Sequence, residues 1–133
     1  MPDFVTDTHA LIWYLEDSPR LGPGARECFN ACERGESIIY VPTICLVEIV
    51  YLQEKGRIPS DMKAQFDLAL QSGESGIVPT DLTIEVVAMM NRVLRTTVPD
   101  MPDRIIAATA LCMGLPLISR DRKIQLSGMH TVW

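Results

Sequence analysis

The sequence predicts an α/β protein in three layers, with a central, mainly parallel sheet between two layers of helices. Short apolar runs alternate along the chain with longer segments of helical character. The runs are apolar throughout, which is typical of strands that are buried on both faces of a parallel sheet. With 133 residues and 47% hydrophobic side chains, the chain fits one domain, which we predict to span residues 1–133.

Turn-forming and capping residues separate the predicted strands from the predicted helices. The strands, chosen for their apolar composition, are residues 4–6, 38–41, 77–78, 117–119 and 131–133. The helices, bounded by glycine, proline or capping residues, are residues 10–15, 25–34, 43–55, 60–73, 81–95, 103–113 and 122–126. Three of these helices have predicted N-caps, which are Thr43, Ser60 and either Thr80 or Asp81.

Composition narrows the possible functions. The four cysteines form no C-x-x-C pair and the two histidines are distant from them, so no zinc site is predicted. Reduced, buried thiols suit a cytoplasmic protein, and neither a signal segment nor an apolar stretch long enough to span a membrane is expected. The net charge of −5 opposes nucleic-acid binding, but four carboxylates gathered around a metal would account for four of these charges.

Several carboxylates are distinguished by their positions in the predicted elements. Asp7 and Asp121 each follow a strand, and open parallel sheets bind ligands beyond the carboxyl ends of their strands. Glu48 lies in an apolar run that predicts a buried helix, where a carboxylate must be paired, protonated or bound to metal. Asp103 opens a helix of small residues, three positions after Asp100. Taken singly, each aspartate is equally explained by helix capping, and Glu48 by a salt bridge or an exposed helix edge.

If these acids converge at one end of the sheet, they form a site made only of oxygen ligands. Carboxylates without neighbouring histidine or cysteine favour a hard cation such as Mg²⁺ or Mn²⁺. A metal held in this way activates water for the hydrolysis of phosphodiesters. Two other functional classes of protein are also compatible with the sequence. One is an enzyme with an aspartate nucleophile, although the D-x-D expected after its first strand is missing, and the other is a non-catalytic binding module.

Four motifs, in this order, resemble those of the PIN-domain family, and within it the short VapC-type toxins of bacterial toxin–antitoxin pairs. The motifs are residues 4–13 (FVTDTHALIW), 43–49 (TICLVEI), 100–110 (DMPDRIIAATA) and 117–124 (LISRDRKI). The resemblance implies a PIN-like α/β/α sandwich. It also implies an acidic quartet of Asp7, Glu48, Asp103 and Asp121, with Asp100 as an auxiliary metal ligand. A histidine that many relatives carry shortly before the third motif is missing.

The resemblance further implies a metal-dependent endoribonuclease. RNA is the implied substrate, and Arg104, Arg120 and Arg122 lie in or beside the motifs, where they are candidates to contact its backbone. Surface pairing of these arginines with nearby acids is the alternative. His9 and Ser119 also fall in the motifs, and their participation stays open. A PIN-fold nuclease that processes RNA outside a toxin–antitoxin pair is a second possible function.

The same resemblance implies two protein partners. A cognate antitoxin would hold the toxin inactive, and the family usually forms homodimers. Trp13, Tyr14 and the apolar helix around residues 44–52 are candidates to line these surfaces. Ordinary aromatic burial favours a core position for the two aromatic side chains.

Overall fold

The computed structural model describes residues 2–71 and 76–133 and contains the predicted parallel sheet. Its strands are β1 (Phe4–Thr6), β2 (Ile39–Pro42), β3 (Ile77–Thr80), β4 (Leu117–Ile118) and β5 (Thr131–Val132). Their order in the sheet is β3-β2-β1-β4-β5, and each neighbouring pair is parallel. The fold class predicted from the alternating pattern is confirmed.

Helices flank this sheet and connect its strands. They are α1 (Thr8–Leu15), α2 (Pro23–Glu33), α3 (Thr43–Glu54), α4 (Met62–Gln71), α5 (Ile84–Met89), α6 (Met101–Met113) and α7 (Arg122–Leu126). A 3-10 turn, Met90–Arg92, follows α5. Within the described ranges, none of these helices has the length and apolar character needed to cross a membrane.

The hydrophobic core includes side chains from both the sheet and the helices. Val5 of β1, Val41 of β2 and Leu117 of β4 are fully buried. Phe29 of α2 and Phe66 of α4 are the largest fully buried side chains of the core. Because β1 is the central strand, the segment that follows it lies at the middle of the carboxyl edge of the sheet.

Some helix starts differ from the prediction because the capping residues were misassigned. Thr43 is the first residue of α3, and the preceding Pro42 provides no side-chain cap. α4 begins at Met62, two residues after the predicted cap Ser60. The predicted end of that helix, Gly73, lies outside the described residues. Several polar residues stand near each start, and the sequence alone does not decide which of them adopts the cap conformation.

α5 is shorter than predicted because a distant side chain holds the segment that follows it. The helix is capped by Thr83 and ends at Met89, well before the predicted residue 95. On α6, the Arg104 guanidinium donates to the carbonyl of Val93 at 2.6 Å and to that of Met90 at 3.0 Å. The Met90 carbonyl also accepts from the Val93 amide at 3.0 Å, so the helix ends in the 3-10 turn that the Arg104 contacts hold. The contact spans more than ten residues, so a local pattern does not predict it.

The prediction that α3 is buried on all sides is wrong. Cys45 and Ile49 are its buried residues, whereas the side chains of Val47 and Tyr51 are 47% and 60% exposed. α3 packs against β2, α4, α6 and α1, and these contacts cover one side of the helix. The opposite side presents apolar surface to solvent.

Candidate active site

The carboxyl end of β1 fixes the position of Asp7. Thr6 of β1 pairs with Ile118 of β4, and the Asp7 amide donates to the Ile118 carbonyl at 3.1 Å. Asp7 is also the N-cap of α1, because its Oδ1 accepts a hydrogen bond from the Ala10 amide at 2.9 Å. The capping explanation is therefore correct for Asp7, and the cap holds the carboxylate at the edge of the sheet. Burial raises the pKa of this carboxyl group.

Asp121 occupies the corresponding place after β4. It is the N-cap of α7 and accepts at Oδ1 from the Ile124 amide at 3.0 Å. The buried Ser119 connects the two acids, because its hydroxyl accepts from the Asp121 amide at 3.1 Å and hydrogen-bonds the Asp7 carboxylate. Ser119 therefore holds the two strand-end carboxylates relative to each other.

Glu48 reaches the same edge of the sheet from α3. Its partly buried carboxylate accepts a hydrogen bond from the hydroxyl of Thr8, the first residue of α1. Burial raises the pKa of Glu48, the Thr8 hydrogen bond and the nearby His9 lower it, and repulsion from Asp100 raises it further. Among residues 2–71 and 76–133, Glu48 forms no salt bridge, and its hydrogen-bond partner is a neutral hydroxyl.

The first turn of α6 contributes two more acids. Asp100 is the N-cap and accepts from the Asp103 amide at 3.4 Å. The pKa of Asp103 is raised to about 7, first by burial and then by repulsion from Asp100, Asp121, Glu48 and Asp7. The carboxylate of Asp103 is therefore close enough to interact with the other four, although the five acids come from distant parts of the sequence.

These five acids line one cavity with a volume of about 760 Å³. Its walls also carry tryptophan, arginine and histidine side chains, namely Trp13, Trp133, Arg20, Arg57, Arg120 and His9. The structure thus brings together every carboxylate that the sequence analysis selected, beside a group of cationic and aromatic residues.

The three arginines predicted to bind substrate have different surroundings. Arg120 lines the cavity. Arg104 is absent from the cavity lining, and its guanidinium donates to the carbonyls at the end of α5. Arg122 is an exposed residue at the start of α7 and is also absent from the lining. The substrate contacts of all three stay predictions, and the contacts of Arg104 favour a structural role.

Several lining residues were not selected from the sequence, among them two arginines and a tryptophan. Arg20 lies between α1 and α2, Arg57 follows α3, and Trp133 follows β5. None of them belongs to a motif or to a periodic pattern. Their common feature is a position next to a helix or strand that borders the carboxyl edge of the sheet, which becomes visible only once the topology is known.

The donor chemistry of the cavity fits a hard divalent cation. Six carboxylates, the five described above and Glu16, belong to the lining, and no cysteine does. Carboxylates are the oxygen ligands that Mg²⁺ and Mn²⁺ prefer. Within residues 2–71 and 76–133, however, no group of three or more His, Cys, Asp or Glu side chains is arranged so that it could hold a metal ion. The acids share a cavity without converging on one point, so metal binding would require carboxylate side chains to turn.

Comparison with known families agrees with this arrangement. The model of the PIN domain matches residues 4–126. The chain belongs to the PIN domain family. The family resemblance inferred from the four motifs is confirmed, and with it the PIN-like fold. A comparison with curated proteins gave no match to this PIN domain.

Solved structures share the fold of this PIN domain over nearly its whole length. A chain of VapBC2 from Rickettsia felis, bound to a DNA fragment from its promoter, is 16% identical with a TM-score of 0.67, and 100% of each chain is covered. A chain of a toxin–antitoxin complex from Klebsiella pneumoniae is 20% identical with a TM-score of 0.65, covering 98% of this chain and 97% of that one. A chain of FitAcB from Neisseria gonorrhoeae is 18% identical with a TM-score of 0.61, covering 96% of this chain and 95% of that one. At these identities the similarity establishes the fold.

Proposed function

We propose that this PIN domain is a metal-dependent endoribonuclease and the toxin of a toxin–antitoxin pair. The observation that carries the proposal is the cavity that gathers the five selected carboxylates, three of which have raised pKa values: Asp7, Glu48 and Asp103. Membership of the PIN family supports a nuclease. Solved structures with the same fold come from toxin–antitoxin complexes, which supports the biological role.

Asp7, Glu48, Asp103 and Asp121 are the proposed catalytic carboxylates and would hold Mg²⁺ or Mn²⁺, with Asp100 as an auxiliary ligand. A bound divalent cation supplies a water of lowered pKa and neutralises charge on the phosphate. Burial and mutual repulsion make the ionised carboxylates unfavourable, and a cation in the cavity relieves both costs.

The chain's own residues prepare this chemistry. Ser119 and the α1 cap orient Asp7, and Thr8 orients Glu48. Arg120 lines the cavity and is the proposed contact to the RNA backbone. Arg104 and Arg122 remain predicted contacts without a place in the cavity wall. No side-chain nucleophile is required.

The proposal is tested by incubating the purified protein with a panel of structured RNAs in Mg²⁺, in Mn²⁺ and in chelator. Asp7→Asn and Asp103→Asn run alongside, with Asp81→Asn, an exposed acid outside the cavity, as the matched control. Asparagine is as good an N-cap as aspartate, so Asp7→Asn changes charge and preserves the cap. We expect cleavage that needs metal, is lost in the first two variants and persists in the control.

Apolar surface supports the proposed protein partners. The exposed side of α3, with Val47 and Tyr51, adjoins cavity residues of the same helix and is the proposed surface for an antitoxin. On α5, Ile84 is 85% exposed and Val87 is also exposed, and this helix is the proposed homodimer contact. Sedimentation of wild type and Ile84→Glu tests the dimer, because a charge at a buried contact would shift the protein towards monomer.

The proposal also covers the domain organisation and the cellular location of the protein. We propose that residues 1–133 act as a single domain in the cytoplasm. Support comes from one sheet that includes both the first and the last described strands, and from the free thiols of Cys28, Cys45 and Cys112.

A non-catalytic binding module is the second candidate function. It is favoured by one observation, that no preformed metal-binding group occurs within the described part of the chain. Calorimetry with Mg²⁺ and Mn²⁺ separates the two candidates. Metal binding that is abolished in Asp103→Asn supports the enzyme, whereas no metal binding together with no cleavage supports the binding module.

A further inference from the structure

The guanidinium groups of two arginines lie over the ring of the same tryptophan on the wall of the cavity. The Cζ atom of Arg120 lies 4.6 Å from the centre of the Trp13 ring, and that of Arg20 lies 6.0 Å from it. Trp13 is 7% exposed, whereas both arginines are exposed. The buried ring is therefore a platform that gathers two positive charges at the surface of the cavity.

Within the part of the chain that the structure describes, neither arginine forms a salt bridge with a carboxylate. Arg26 and Arg34 form salt bridges, but no salt bridge in the described ranges includes Arg20 or Arg120, although acids line the same cavity. A guanidinium that stacks on an aromatic ring keeps its N–H groups available at its edge. Both side chains therefore have donors with which to bind an anion from outside.

The platform is held in place by close packing behind it. Trp133 contacts the Trp13 ring edge-on, with 5.7 Å between the ring centres. A Cβ atom added at Gly22 would lie 2.5 Å from the Trp133 ring, and one added at Gly24 would lie 2.6 Å from the Trp133 carbonyl oxygen. The Gly24 amide donates to that oxygen at 3.1 Å. Only glycine permits this approach, which fixes Trp133 and, through it, Trp13.

We propose that Trp13, Arg20 and Arg120 form a phosphate subsite for a single-stranded polynucleotide. The subsite contacts a phosphate next to the one held at the acids. Its place in the reaction rests on the proposed nuclease function, but binding itself requires neither metal nor cleavage. Arginines combined with aromatic side chains are typical of surfaces that follow single-stranded nucleic acid, and this combination favours a polynucleotide over an acidic peptide.

The fluorescence of the protein offers a direct test. The sequence has two tryptophans, and both line the cavity, so intrinsic tryptophan fluorescence reports on occupation of the subsite. The probe is a short single-stranded oligoribonucleotide, added to the protein in chelator. We expect saturable quenching. Arg20→Gln and Arg120→Gln each weaken binding about tenfold and each reduce the slope of log affinity against log salt by about 0.7.

The control is Arg95→Gln, an exposed arginine outside the cavity, which we expect to bind as the wild type does. Wild-type protein that does not bind the probe, or affinities of the two subsite variants that equal that of the control, would overturn the proposal. So would an acidic peptide that displaces the probe with equal affinity, because the subsite would then belong to a protein partner. Failure of the nuclease proposal is recognised separately, as probe binding in chelator without RNA cleavage in Mg²⁺.

Discussion

The raised pKa of Asp103 predicts an unusual dependence of stability on pH in the metal-free protein. The pKa is about 7 in the folded protein and near the ordinary value of 3.8 when unfolded. Below pH 4 the carboxyl group is protonated in both states. Between pH 4 and pH 7 the folded state binds the proton and the unfolded chain releases it, so the free energy of unfolding falls as the pH rises.

The perturbation that isolates this effect is Asp103→Asn. A pKa raised from 3.8 to about 7 corresponds to about 4 kcal/mol, at about 1.4 kcal/mol for each tenfold change. The side chain is partly exposed and screened by solvent, so we expect a gain of about 1–2 kcal/mol for the variant at pH 8. In a chain of this length, that gain raises the melting temperature by about 4–8 °C. At pH 5 the folded carboxyl is still protonated while the unfolded one is ionised, so only roughly a third of this gain should be present. Below pH 4, where the carboxyl is protonated in both states, the two proteins should melt almost together.

The assay is thermal unfolding in chelator at pH 5 and pH 8, with Asp81→Asn as the control for the loss of an exposed charge. Adding Mg²⁺ at pH 8 should stabilise the wild type more than the Asp103→Asn variant, because the cation relieves the repulsion that the variant lacks. The reasoning would be refuted by a gain at pH 8 no larger than that of the control, or by an equal gain at pH 5.

Three other predictions follow from single contacts. Thr8→Val removes the hydrogen bond to Glu48 and should raise the pKa of that carboxyl, seen by NMR titration; an unchanged pKa would show that the contact is absent in solution. Gly22→Ala places a Cβ atom against the Trp133 ring and should lower the free energy of unfolding, measured in urea, by about 1–3 kcal/mol and shift the tryptophan emission. A variant as stable as the wild type would contradict the close approach. Arg104→Gln removes the guanidinium hydrogen bonds to the Val93 and Met90 carbonyls and should lower the free energy of unfolding by about 1–3 kcal/mol without altering the salt dependence of RNA binding. An altered salt dependence would restore the substrate role of Arg104.

The sequence predicted the layers and the acids because both depend on local signals. Continuous apolar runs indicate strands when both faces of a sheet are covered by helices. The loop after each parallel strand lies at the carboxyl edge of the sheet, where such folds bind their ligands. Asp7 and Asp121 were selected on this ground, and the structure places both at the edge, each as a helix cap. Capping a helix and lining the cavity are compatible roles, because each of these carboxylates does both.

The parts that the sequence did not predict depend on contacts between distant segments. The break after α5 follows from hydrogen bonds donated by Arg104, and the exposed side of α3 follows from which neighbours reach that helix. Arg20 and Trp133 join the cavity wall through tertiary packing around Trp13. No local pattern encodes the partner of a side chain, so these features required the assembled sheet.

The central place of β1 has a consequence for a chain that is still being translated. β1 is synthesised well before its partner β4 and before Ile118, whose carbonyl accepts from the Asp7 amide. Ser119 and Asp121 follow later still. A partly synthesised chain therefore lacks one wall of the cavity and the hydroxyl that joins its two strand-end acids. The cavity is therefore complete only after β4 has been released and paired.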